Sequence, residues 1–167
     1  MSSKEDISLK FGAITSILTG IVFFVTALIF FILPPNQQDF TPRFEFFSSV
    51  SQDPSFLLIT FWGSLIGSIL AIGVVIFLYN YLFPSKKVWI QWSSALAVIA
   101  YAVSALQNAT YIYQVPKIAH IYLQSTQTVQ RAIEAVGFSS LDPDGVLQSL
   151  MIGIWLFTVS WFALNDC

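Results

Sequence analysis

Ser94, Ala97, Tyr101, Ser104, Asn108 and Tyr111 follow one another about one helical turn apart, with Gln107 beside them. Hydroxyls, amides and phenols at that spacing share one face of a helix, and within an apolar stretch such a face must meet protein or water. Two chemistries fit the stripe. One is hydrogen bonding between helices, worth about 0.6 kcal/mol per contact. The other is a cavity for a small lipophilic or neutral solute, with Ser104, Gln107, Asn108 and Tyr111 as its polar wall. Gln148 and either Thr15 or Thr19, each on another apolar stretch, are the candidate partners across that cavity.

Acid–base chemistry has fewer materials. Asp39, Glu45, Asp53, Glu134, Asp142 and Asp144, with the sole histidine, His120, are the groups that an external site would draw on. Capping and solubility account for these carboxylates first, and a lone histidine reads as a surface residue. The sequence holds no H-E-x-x-H, no P-loop, no G-x-S-x-G and no metal-spaced Cys/His set. A zinc protease, an ATPase and a proton relay are therefore disfavoured, no catalytic or metal residue is assigned and no cofactor is expected. Cys167 is the single cysteine, so no disulfide forms within the chain. A net charge of -2, with no basic run longer than Lys86-Lys87, argues against a nucleic-acid partner. Asn108-Ala109-Thr110 matches a glycosylation sequon, but its place within or at the end of an apolar stretch makes the match a coincidence.

The elements that must position the stripe follow from where charge is missing. Charged residues make up only 10% of the 167-residue chain, against about 25% in an average soluble domain. All of them lie outside four windows, Phe11 to Gln38, Pro54 to Ser85, Val88 to Pro116 and Gly145 to Asn165. Each window reaches the roughly 20 apolar residues that a helix needs to cross about 30 Å of hydrocarbon. Lipid offers no hydrogen bonds, so the backbone must satisfy itself, and the near-continuous apolar runs Ile21 to Leu33 and Leu65 to Leu78 lack the alternation of a barrel strand. The chain is thus expected to be all-α, a four-transmembrane-helix up-down bundle forming one domain over residues 1–167. Its helices should cover about 11–33, 55–83, 88–114 and 145–164, with an amphipathic helix at about 117–136 in the second external loop. Phe11 to Leu33 exceeds the apolar core of a cleavable signal peptide and reads as a retained first helix.

Local signals set the boundaries. Pro34-Pro35 should stop the first span and Pro116 should break or kink the third. Asp53-Pro54 and Asp142-Pro143 each read as a capping carboxylate followed by proline at the first helical position. Thr41-Pro42 suggests a short helix from Arg43 to Val50, with Phe44, Phe46 and Phe47 at the membrane surface. The connection Pro84-Ser85-Lys86-Lys87 is short enough to force an antiparallel hairpin. Ile118, Ile121, Tyr122, Val129, Ile133 and Val136 give the amphipathic segment its apolar face, and Gly137 ends it. Gly12, Ser16 and Gly20, and Gly63 with Gly67, place small residues every fourth position, which lets helices approach closely.

Lys4, Lys10, Lys86 and Lys87 lie on one side of the spans, and Arg43, Lys117 and Arg131 are spread over two longer loops on the other. The positive-inside rule then puts both termini in the cytoplasm of a multi-pass cell-membrane protein. Leu78-Tyr79-Asn80-Tyr81-Leu82-Phe83-Pro84 closing one span, and Leu141-Asp142-Pro143-Asp144-Gly145 opening another that carries Gly153-Ile154-Trp155, resemble bacterial multi-pass membrane proteins of uncharacterised function. Those proteins continue past the segment matching residues 146–164, whereas this chain stops at Asn165-Asp166-Cys167. The resemblance implies no activity, cofactor or site residue. The leading expectation is a non-enzymatic subunit, scaffold or assembly partner in the lipid bilayer, joined to a second copy or to another membrane protein. The alternative is the solute binder or carrier that uses the polar stripe.

Overall fold

The computed structural model describes residues 3–82, 88–138 and 145–165, and among these every regular element is an α-helix. The helices are α1 (Ser3–Ile32), α2 (Pro35–Gln38), α3 (Phe44–Gln52), α4 (Ser55–Leu82), α5 (Val88–Gln124), α6 (Gln127–Val136) and α7 (Val146–Asn165). Four stretches, Leu9–Ile32, Ser55–Asn80, Val88–Gln124 and Val146–Leu164, are long and apolar enough to cross a membrane. Large apolar side chains such as Phe11, Phe24, Phe31, Trp62, Ile69, Phe157 and Trp161 stand exposed along them. Water would penalise such a belt, whereas acyl chains match it.

The spans pack in chain order, α1 on α4, α4 on α5 and α5 on α7. Close approach of α1 and α4 depends on glycine. A methyl group added at Gly12 would fall 2.1 Å from the Phe77 ring, one at Gly63 2.1 Å from the Thr26 hydroxyl, and one at Gly67 2.7 Å from the Phe23 ring. Gly20 has nothing within 4 Å and Ser16 is half-buried, so the ridge expected along α1 belongs to this interface only at its Gly12 end. The reason is rotational. Gly12, Thr15, Phe23 and Thr26 face α4, and that set turns Gly20 away. Trp155 of α7 joins Ala97 of α5 and Val75 of α4 in one buried cluster.

Two boundaries differ from the expectation. Pro34 does not merely stop α1, because its carbonyl accepts the N–H groups of Gln37 (2.7 Å) and Gln38 (3.1 Å) and so starts the single turn of α2. Thr41 does not cap α3. Arg43 holds that position without a side-chain bond, and Thr41 instead donates its N–H (3.1 Å) and its hydroxyl to Oδ1 of Asp39. Asp53 does cap α4, its Oδ1 accepting the Ser55 N–H at 2.9 Å, with Pro54 contributing the first helical carbonyl to Leu58 at 2.8 Å. The Asp142-Pro143 cap, the Pro84 to Lys87 connection and Cys167 lie outside the described residues.

The larger correction concerns residues 117–136, which do not form one amphipathic helix. Residues up to Gln124 continue α5 straight through Pro116, and only Gln127–Val136 form a separate helix, α6, closed by Gly137 at φ 65°. Proline in a helix forfeits one hydrogen bond and costs about 3 kcal/mol, yet Val115, Ala119 and Tyr122 bury one continuous stripe across it. Their partners are Phe46, Phe47 and Val50 of α3, and Phe47 stacks on Tyr122 with ring centroids 4.4 Å apart. Phe46 and Phe47 are therefore core residues rather than surface ones, and only Phe44 stays exposed. At 1.5 Å per residue α5 is about 55 Å long, more than the roughly 30 Å of hydrocarbon, so its last turns stand clear as a post. Around that post α2, α3 and α6 form a cap, whose core of α3 and α5 side chains continues into the start of α4 through Leu57 and Phe61. Gln37, buried, ties the cap to the spans by donating to the Ser49 hydroxyl (3.0 Å) and the Asp53 carbonyl (2.9 Å).

Candidate functional site

The polar stripe of α5 divides into two parts. In its first half Ser94 and Ala97 are buried, the Ser94 hydroxyl finds no hydrogen-bond partner among the described residues, and Ser94 borders only a small apolar cleft between α4 and α5. Its second half lines a partly open cavity of about 750 Å³. Ser104, Gln107, Asn108 and Tyr111 all border this space, with Thr60, Phe61 and Ser64 of α4 opposite and Phe30 of α1 and Gln148 of α7 at the flanks. Asp39, Phe40, Thr41 and Pro42 form one part of its roof, and Val136, Gly137 and Phe138 another. The up-down order of the spans explains this convergence, since the end of α1, the start of α4, the second half of α5 and the start of α7 reach the same level.

Hydrogen bonds fix the polar wall. Gln148 donates to Oε1 of Gln107 at 2.8 Å, and Gln107 donates to the Tyr111 hydroxyl at 3.0 Å, which carries one amide–phenol relay from α7 onto α5. The hydroxyls of Ser68 and Ser104 meet at 3.0 Å across the α4–α5 contact, and Asn108 donates to the Ser104 carbonyl at 2.8 Å. Such bonds hold side chains in single rotamers, so the donors and acceptors facing the space are set before anything binds. Gln148 is thus brought to the stripe as the spacing suggested. Thr15 and Thr19 are not, because each hydroxyl bonds the carbonyl four residues back in α1, Phe11 (2.8 Å) and Thr15 (2.7 Å).

Aromatic rings complete the wall. Phe40–Phe61 (5.9 Å), Phe61–Tyr111 (5.4 Å), Tyr111–Phe138 (6.0 Å), Phe138–Phe46 (5.6 Å) and Phe46–Phe40 (6.3 Å) close a circuit of centroid separations. Of the five, Phe40, Phe61, Tyr111 and Phe138 border the cavity. Asp39 is the one carboxylate on the wall among the described residues. The hydroxyl and N–H of Thr41 bonded to it, with the more distant Arg43 guanidinium, hold its carboxyl below the usual 3.8, so it is ionised at neutral pH.

Asp142 and Asp144 lie outside the described residues, and, Asp39 aside, the remaining loop carboxylates and His120 do not border this cavity. Glu134 accepts a hydrogen bond from Tyr122, Asp53 caps α4, and His120 lies exposed beside Gln124 on α5. Among the described residues no group of three His, Cys, Asp or Glu side chains is placed to hold a metal ion. Spacing pointed to Ser104, Gln107, Asn108 and Tyr111, but not to the roof. The available signal was the density of phenylalanine in the first loop, too apolar for a solvated connection.

Exposed apolar spans around a partly polar cleft define a helical membrane protein with four spans. Comparison with protein-family models, with curated proteins and with solved structures finds no match.

Proposed function

We propose that this protein binds a small lipophilic solute with a polar end in the cavity between the second half of α5 and the cap, without chemical conversion of it. One observation carries the reading: a space of about 750 Å³ bordered by a pre-bonded amide and hydroxyl wall on one side and phenylalanine rings on the other. Pockets for small molecules are concave, mostly apolar and furnished with a few fixed polar groups, in volumes of about 300–1,000 Å³. With the termini in the cytoplasm of the cell membrane, as the Lys and Arg count argues, the opening faces outward.

The test is equilibrium binding of 3-tert-butylphenol to the purified full chain in maltoside micelles. Saturable binding is expected, and Gln107→Leu, which breaks the relay from Gln148 to Tyr111, should weaken it about tenfold. Absence of saturable binding, or binding indifferent to both Gln107→Leu and Ser104→Leu, would remove the proposal.

A second reading, a subunit or scaffold, rests on the outer spans. Gly20 on α1 and Gly153 on α7 have nothing within 4 Å, which leaves room for another helix. Crosslinking in native membranes should then capture a second copy or another membrane protein, in smaller yield when Gly20 is replaced by Leu. A chain that crosslinks to nothing excludes it.

A further inference from the structure

The expected solute was lipophilic or neutral because the spans carry no charge, yet the roof of the cavity adds a different element. Four aromatic rings, Phe40, Phe61, Tyr111 and Phe138, border the same space as the Asp39 carboxylate, and no Lys or Arg borders it among the described residues. Aromatic faces carry negative potential, and a cation within about 6 Å of a centroid is attracted to them more strongly the less water intervenes. The rings that border the space stand 5.4–6.0 Å from their neighbours, Phe40 to Phe61, Phe61 to Tyr111 and Tyr111 to Phe138, so a group of trimethylammonium size at this wall lies within range of more than one ring. The carboxylate supplies a countercharge at the same mouth, and two bonds from Thr41 hold it in place.

We infer that the solute of this cavity is a lipophilic organic cation, its ammonium group held among Phe40, Phe61, Tyr111 and Phe138 beside Asp39 and its hydrogen-bonding end on the Gln107 and Asn108 side. The inference rests on the binding role proposed above and adds the charge of the ligand. Arg43, which lies outside the wall but close enough to act on Asp39, opposes the cation and so offers a control of opposite sign.

The experiment compares 3-hydroxyphenyltrimethylammonium with its neutral isostere, 3-tert-butylphenol, on the full chain in maltoside micelles at pH 6.5 and low salt. The cation should bind about tenfold tighter than the isostere. Asp39→Asn and Phe40→Leu should each weaken the cation more than the isostere and so bring the ratio of the two affinities close to one, and Arg43→Gln should enlarge it two- to threefold. Phe40 stands on an exposed loop, so its variant remains informative if Asp39→Asn does not fold. Equal affinity of the two probes, with Phe40→Leu without effect on their ratio, overturns the cation inference and leaves the cavity reading intact. Failure of both probes to bind defeats the cavity reading itself.

Discussion

At the scale of single residues, glycine decides where helices touch. Gly12 and Gly20 lie eight residues apart on α1 in nearly the same chemical setting, but a methyl group at the first would collide with Phe77 and at the second would meet nothing. Gly12→Ala is therefore expected to destabilise the α1–α4 pair by about 1–3 kcal/mol through overpacking, read as a lower denaturation midpoint in mixed micelles. Gly20→Ala should be neutral or stabilising by up to about 1 kcal/mol, the helix-propensity difference. The two residues read alike in the sequence because a spacing of four marks a face without saying which neighbour that face meets. Ser104, Gln107, Asn108 and Tyr111 were legible for a stronger reason, since polar groups in an apolar helix have few places to go. Asp39 was not, because its role at the mouth depends on a turn that only Thr41 closes.

At the scale of elements, the four spans were readable from absent charge, whereas of the cap only the short helix at Arg43 to Val50 and the stop at Gly137 were. Its short helices α2 and α3 lack the periodic length that marks a span, and their burial depends on a stretch of α5 some seventy residues further along. Pro116 argued for a break, and locally that argument is sound. It is outweighed by the stripe Val115, Ala119 and Tyr122 against Phe46, Phe47 and Val50. The prediction at this scale concerns Phe47, which is 0% exposed. Phe47→Ala should cost about 3–5 kcal/mol, and the loss should be concentrated in the cap and the adjoining start of α4. Hydrogen exchange should accelerate in α3 and in α5 beyond Pro116 while the far halves of the spans keep their protection. Acceleration spread evenly over all four spans would show that the packing around Phe47 is not local.

At the scale of the whole molecule, the spans form an ordered series in which the polar cleft sits at one end, under the cap. The proposed orientation puts that end outside the cell. A cysteine at Ser51, exposed on α3, in a Cys167→Ser background should react with a membrane-impermeant maleimide added to intact cells. Labelling only after the membrane is opened would invert the topology and turn the cavity mouth to the cytoplasm. Packing in sequence order also explains why the topology was legible: each connection is short or capped, so neighbours in the chain become neighbours in space.

Both halves of the roof, residues 39–42 and 136–138, belong to connections whose helices lean on the same protruding end of α5. Pro116 leaves this mast one hydrogen bond short, and the stripe Val115, Ala119 and Tyr122 packed on α3 braces it there. Both awnings therefore hang from one braced support, so a substitution that loosens the stripe should disturb both sides of the chamber mouth together.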